Sequence, residues 1–300
     1  MSNLDPRLIR NDFPFESRYL TVNSHKLHYI DQGSGDPVLF LHGNPTWSYT
    51  WRNILPYFGD DVRTIAVDNI GMGRSDKPAI DYTFLEHADY ISQFIEHLEL
   101  EKVTLVGHDW GAALGLHYAA KYPEKIKGIV LLEPQALVPS ADWSGFSPQE
   151  AVELFQKLRD PELGWPFMRD HSIFIEGMTH TIINRQITAE ELDMYREPFM
   201  NPDTRRPMWK FPNQIPIEGK PDEVKQAVLK RNEWLTASLI PKLLIYATPG
   251  CNVREPQLEW CRTHLQNLTL VPIGTGFHHL TEENPHAVGQ EMLRWFRQIQ

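Results

Sequence analysis

Val106-Gly107-His108-Asp109-Trp110-Gly111 is the stretch on which the fold turns. It closes the apolar run Val103-Thr104-Leu105-Val106 and opens Ala112-Ala113-Leu114-Gly115, a helix start built from small residues. A buried strand, a sharp turn and a helix in that order form a nucleophile elbow, here with Asp in the place usually held by serine. Gly107 and Gly111 suit the turn because a strained strand-to-helix corner leaves no room for side chains beside its central residue. Asp109 then stands at a helix N-terminus, where backbone N–H groups and the helix dipole favour an anion. Asp at a helix start is also a common N-cap, so the elbow by itself leaves both roles open.

Outward from the elbow, short apolar runs alternate with segments of helical period, the pattern of a mostly parallel sheet covered by helices on both faces. Val38–Leu41, Thr64–Val67, Val103–Val106 and Ile129–Leu132 have the β-branched and leucine-rich character of strands buried on both sides. Arg18–Val22 and Lys26–Asp31 read as an opening hairpin around Asn23-Ser24. After Glu133 the chain turns to Pro, Trp, Phe and helical segments, and strand-like runs return only at Lys242–Ala247 and Leu268–Pro272. The expected fold is therefore an α/β-hydrolase fold: a mostly parallel eight-stranded sheet flanked by helices, with an inserted helical cap. The expected division is a core of residues 1–135 and 217–300 and a cap of residues 136–216. One cap helix is announced by Ser147 as N-cap, Pro148 at the first helical position and Glu150 closing a capping box ahead of Val152, Phe155 and Leu158.

Composition narrows the class. With 41% apolar and 23% charged residues the chain is ordinary for a globular protein, and no run of about twenty apolar residues is present to span a bilayer. The beginning, MSNLDPRLIRNDFPFE, lacks the apolar stretch of a secretory signal, which points to the cytoplasm. Cys251 and Cys261 are too few for a disulfide framework or a zinc cluster and read as free thiols. A formal net charge of −10 without any Lys/Arg run argues against nucleic-acid binding. In Asp68-Asn69-Ile70-Gly71-Met72-Gly73-Arg74-Ser75 the glycine-rich loop lacks the Lys-Ser/Thr ending of a phosphate-binding loop and reads as scaffold. Leu41-His42-Gly43-Asn44-Pro45, by contrast, follows the first parallel strand, where this fold places its oxyanion-hole loop.

Taken together, HGNP, DNIGMGRSDKP, GHDWGA, YREPF, RRP, FPNQIPI and GFHHLTEENP resemble the haloalkane dehalogenases over nearly the whole chain. The chain is also similar to coelenterazine-using luciferases of that superfamily and, more distantly, to epoxide hydrolases. The resemblance implies a nucleophilic Asp, a histidine base, a carboxylate partner and two side chains that hold the departing halide. By the family spacing the base is His278, in Gly276-Phe277-His278-His279-Leu280, and His279 is its structural neighbour. The usual place for the acid, after Leu243–Ala247, holds Thr248-Pro249-Gly250-Cys251-Asn252 and no carboxylate. Glu133, closing the preceding strand, matches the dehalogenase subgroup that puts its acid there, and Glu255 is the alternative.

Asn44 and Trp110 supply the halide site that the resemblance implies: each offers a neutral N–H, which stabilises a leaving anion without the tight retention of Lys or Arg. Their backbone N–H groups would form the oxyanion hole. Trp143, Phe146, Phe155, Phe174 and Phe211 are the expected apolar pocket residues, while Met178-Thr179-His180 departs from the Leu-Pro that relatives commonly carry there. The implied reaction converts a haloalkane and water to alcohol, halide and a proton through an alkyl ester on Asp109. The implied ligands are a small apolar halogenated substrate, halide and water, with no cofactor, metal, nucleic acid or membrane. Epoxide hydrolysis would also need cap tyrosines, of which Tyr195 is the evident one. A non-catalytic binding protein on this fold is opposed by the complete Asp109, Glu133 and His278 set.

Overall fold

The computed structural model describes residues 9–135, 149–178 and 182–300. Eight strands form one sheet: β1 (Arg18–Val22), β2 (His25–Gln32), β3 (Pro37–Leu41), β4 (Arg63–Val67), β5 (Val103–His108), β6 (Ile126–Leu132), β7 (Lys242–Pro249) and β8 (Leu268–Gly276). Their order is β1-β2-β4-β3-β5-β6-β7-β8, with β2 antiparallel to both β1 and β4 and every later pair parallel. This is the expected α/β-hydrolase architecture. The hairpin turns at Asn23 and Ser24, both at positive φ, as the tight two-residue connections that match strand twist require.

The apolar runs expected to be doubly buried are so. In β3, Leu39 and Leu41 join the core on one side of the sheet, and Val38 and Phe40 join the core on the other. The first core is covered by α1 (Phe84–His97) and α2 (Trp110–Lys121), the second by α10 (Leu280–Glu283) and α11 (Pro285–Gln298). Helix α1 starts with a capping box in which Thr83 and Glu86 satisfy each other's backbone N–H groups.

Between β6 and β7 the described chain is helical. It runs through α3 (Gln149–Leu158), α4 (Gly164–His171), α5 (Ile173–Gly177), α6 (Ala189–Arg196) and α7 (Arg206–Asn213). It then returns to the sheet through α8 (Asp222–Ala237), which packs on α2. Val152 and Leu158 of α3 are buried as its period requires, whereas Ser147 and Pro148 lie outside the described residues. A buried ion cluster ties this layer to the sheet. Arg52 and Tyr195 converge on Glu282, and Glu191 joins Arg52 at 2.8 Å. Among the described residues, no helix is long and apolar enough to cross a membrane.

Five neighbouring parallel strands, β3, β5, β6, β7 and β8, end along one edge of the sheet. The loops leaving those ends carry Asn44, Asp109, Glu133, Cys251 to Arg254 and His278 respectively. Residues more than 230 positions apart thus meet at the carboxyl ends of the strands, where open α/β sheets bind ligands.

Candidate active site

Asp109 occupies the corner between β5 and α2 with φ 51° and ψ −120°, a backbone conformation that L-residues rarely adopt. It is the N-cap residue of α2, yet its carboxylate makes no capping bond to that helix. Instead Oδ2 accepts the Asn44 backbone N–H at 2.9 Å. The corner is held by Asp109 N donating to Leu132 O at 3.2 Å and Gln135 N donating to Asp109 O at 3.1 Å. Glycine is required around it. A Cβ on Gly111 would drive into the Leu41 and His42 carbonyl oxygens, and one on Gly43 into the Asp109 side chain.

His278 lies between two carboxylates, its Nε2 3.8 Å from Asp109 Oδ1 and its Nδ1 3.4 Å from Glu133 Oε2. Glu133 is fully buried and accepts backbone N–H groups from Cys251 at 3.0 Å, Asn252 at 2.6 Å and Val253 at 3.4 Å. The loop after β7 therefore contributes donors to a carboxylate that arrives from β6. Those bonds meet the condition for burying a charge, which is pairing plus saturation of its lone pairs. Glu255, the alternative acid, opens α9 (Glu255–His264) on the surface, where it pairs with Arg262 at 2.8 Å.

The environment shifts both reactive groups. Burial raises the Asp109 carboxyl above its ordinary range, against the opposing pull of His278 and of the Asn44 and Trp110 N–H groups. For His278 burial is the largest single influence and acts downward, but the hydrogen bond to Glu133 and the charges of Asp109 and Glu133 outweigh it and raise the imidazole. Its neighbours behave differently. His279 is fully buried, neither ring nitrogen has a partner among the described residues, and burial holds it well below the ordinary value, in the neutral form. Burial likewise drives His108 down to about 3, and its Nε2 lies 2.8 Å from the His278 carbonyl, supporting the loop that carries His278.

Glu133, Cys251 and His278 also place three ligand-type atoms within 4.8 Å of one another. That group is poorly suited to a cation, since three N–H donors already surround Glu133 and burial pushes the Cys251 thiol up to about 12.

Comparison with known proteins agrees with this fold. Residues 36–171 match the model of the alpha/beta hydrolase fold family. A haloalkane dehalogenase of Sphingobium indicum is 38% identical over 295 residues, covering 95% of this chain and 97% of the relative. Another, of Mesorhizobium japonicum, is 36% identical over 275 residues, 91% of this chain and 88% of the relative. The chain belongs to the haloalkane dehalogenase family. Among solved structures, the haloalkane dehalogenase DbeA of Bradyrhizobium elkani superposes with a TM-score of 0.90 at 36% identity, over 95% of this chain and 98% of that one.

In this family member Asn44, Asp109, Trp110 and His278 all line a cavity of about 500 Å³. Asn44 Nδ2 donates to Met208 O at 3.3 Å, and its Oδ1 is buried without a partner among the described residues. Of the five aromatic residues expected in the pocket, Phe155 and Phe174 line it with rings 6.2 Å apart. Phe211 does not line it. It sits beside Trp110 at 5.3 Å and stacks on His87 at 4.2 Å, because its side chain reaches from α7 to the first turns of α1 and α2. Trp143, Phe146, Thr179 and His180 lie outside the described residues, and Met178 is fully buried.

Among the lining residues outside the sequence motifs are Gln135, Cys251, Asn252 and Arg254, which bring polar groups or a thiol to the cavity. Their signal is present in outline, since each follows a parallel strand on the edge where the ligand site forms. In sequence the loop after β7 is conspicuous only for lacking a carboxylate, and nothing in it hints that its backbone serves Glu133.

Proposed function

We propose that this protein hydrolyses haloalkanes to an alcohol, halide and a proton, with Asp109 as nucleophile, His278 as base, Glu133 as its partner, and Asn44 and Trp110 as halide donors. The observation that carries the proposal is a carboxylate oxygen held by the Asn44 backbone N–H in a largely apolar cavity that Asn44, Trp110 and His278 also line. Ionised Asp109 attacks the carbon that bears the halogen; the C–O bond forms as the carbon–halogen bond breaks, and the electron pair leaves with the halide. Charge develops on the halogen in that step, which is where the Asn44 and Trp110 side chains act. His278 then removes a proton from water, which attacks the ester carbonyl and releases the alcohol, while Glu133 stabilises the imidazolium. Asn44 and Trp110 backbone N–H groups serve the oxyanion of that second step. No cofactor enters either step.

Residues 136–216 act as the cap that roofs the cavity, on the core formed by 1–135 and 217–300. The two free cysteines, Cys251 and Cys261, fit a cytoplasmic location, where thiols stay reduced. The epoxide-hydrolase reading is disfavoured by Tyr195, whose hydroxyl is buried and bonded to Glu282 rather than presented to the cavity. Free halide measured against 1-chloro-, 1-bromo- and 1-iodobutane tests the proposal. Release of bromide and iodide with equimolar butanol is the expected result. Absence of halide release, with light emission from coelenterazine in its place, would overturn it.

A further inference from the structure

Gln135 is only 4% exposed, lines the cavity, and has a buried Nε2 with no hydrogen-bond partner among the described residues. Its amide is oriented by an unambiguous chain of bonds. The Asn252 side-chain Nδ2 lies 3.1 Å from the Glu133 backbone carbonyl, which can only accept, so the Asn252 atom there must be the NH₂. That same NH₂ lies 3.1 Å from the Gln135 amide, so the Gln135 atom facing it is Oε1. The free end of the Gln135 amide is therefore a donor, turned away from Asn252. A buried donor left unpaired is costly, and nothing in an alkyl chain can satisfy it.

We infer that Gln135 Nε2 is a subsite for a hydrogen-bond acceptor on the substrate: the preferred haloalkanes of this site carry an ether or hydroxyl oxygen on the chain. The inference rests on the proposed dehalogenation and names its substrate class. Gln135 joins the nucleophile's own corner, its backbone N–H bonded to the Asp109 backbone carbonyl at 3.1 Å, so the oxygen is sought within the first few chain atoms from the reacting carbon. Asn252, which bonds Gln135, lines the cavity together with Cys251 and Arg254, and Phe155, Phe174 and Ile173 give it apolar lining as well. Such a site distinguishes an oxygen-bearing chain from its all-carbon isostere more sharply than an apolar pocket distinguishes two alkanes, since only the isostere leaves the donor unpaired.

The test compares kcat/KM for 1-bromohexane with that for bromides of the same length in which oxygen replaces the third, fourth or fifth chain atom, in the parent and in Gln135→Met. The parent should prefer one oxygen position over its neighbours by about tenfold, and the preference should flatten in Gln135→Met, whose side chain has similar length and no donor. Dividing the two profiles removes differences in intrinsic reactivity among the bromides. A parent profile with no preferred position, or a preference unchanged in Gln135→Met, would overturn the inference while 1-bromohexane turnover keeps the dehalogenation reading intact. No bromide release from any member of the series would sink both. Should Gln135→Met fail to fold, the parent profile is divided instead by the solution rates of the same bromides with acetate ion, and a flat quotient overturns the inference.

Discussion

Changing Glu133→Gln asks which carboxylate supports the base. In the parent, the Glu133 charge faces His278 Nδ1 at 3.4 Å, with both groups out of solvent. At an effective dielectric of about 20, two unit charges at that separation interact by roughly 5 kcal/mol, which sets the stabilisation of the imidazolium formed as water is deprotonated. Removing it should slow hydrolysis of the alkyl ester by about three powers of ten. Gln also cannot accept with both ends, so one of the N–H groups of Cys251, Asn252 and Val253 loses its acceptor, destabilising the fold by about 1–3 kcal/mol. Alkylation uses Asp109 and the halide donors and should persist. Rapid-quench kinetics with 1-bromobutane should therefore show a burst of one bromide per site followed by very slow turnover, with circular dichroism confirming the fold. Glu255→Gln, which loses only a surface ion pair with Arg262, should turn over normally. Should Glu133→Gln retain more than a tenth of the parental kcat while Glu255→Gln loses activity, the assignment of the acid is wrong.

His278→Phe should release one bromide and stop, leaving a butyl group on Asp109 that intact-mass and peptide mapping detect, whereas His279→Phe, which removes no hydrogen bond, should turn over without an adduct. Asn44→Ala and Trp110→Phe should each slow the burst by about 10² to 10³ and weaken bromide binding measured by fluorescence quenching; parental values in both would remove them from the halide site. Because His278 is raised above its ordinary value while Asp109 and Glu133 are both free to carry charge, its imidazole in the unreacted protein should titrate by NMR with a midpoint above about 6.5; a midpoint well below that would contradict the influence of Glu133 and Asp109. Burial pushes Glu283 up to about 7, although it accepts the Phe277 and Asn184 N–H groups, so the folded state holds its proton more firmly than the unfolded chain does. Its contribution to stability is complete below the ordinary carboxylate range and disappears as pH rises through about 7; Glu283→Gln should flatten the decline of Tm between about pH 5 and 8, and an unaltered slope would rule this out.

Elements that are local in the chain are legible in the amino-acid sequence alone. Doubly apolar runs announce the central strands, since a strand covered on both faces has no polar position to spare. The elbow declares itself because Gly107 and Gly111 are needed where the backbone passes so close to its neighbours, Gly111 against the Leu41 and His42 carbonyls and Gly107 against Ala112. Asp109 and the HGNP loop are readable for the same reason: their chemistry is bound to a backbone geometry that only a few residue types permit. Assigning roles to His278 and Glu133 takes the family resemblance, as two adjacent histidines and two glutamates are equivalent in a one-dimensional string. Tertiary structure separates them by environment, putting Glu133 under three N–H donors and Glu255 in solvent, and His278 against two carboxylates and His279 in a pocket without partners. Phe211 looks like cavity wall in the sequence and is not, because an aromatic at helical spacing shows that a face is buried but not which neighbour buries it. Gln135 is the converse: polar and ordinary in sequence, it gains meaning only where the fold buries it beside the nucleophile and fixes its amide through Asn252. What the chain encodes locally is the capacity for strand, turn and helix; which side chains share a cavity is decided by packing between residues distant in sequence, because burial, pairing and donor orientation are properties of neighbours in space.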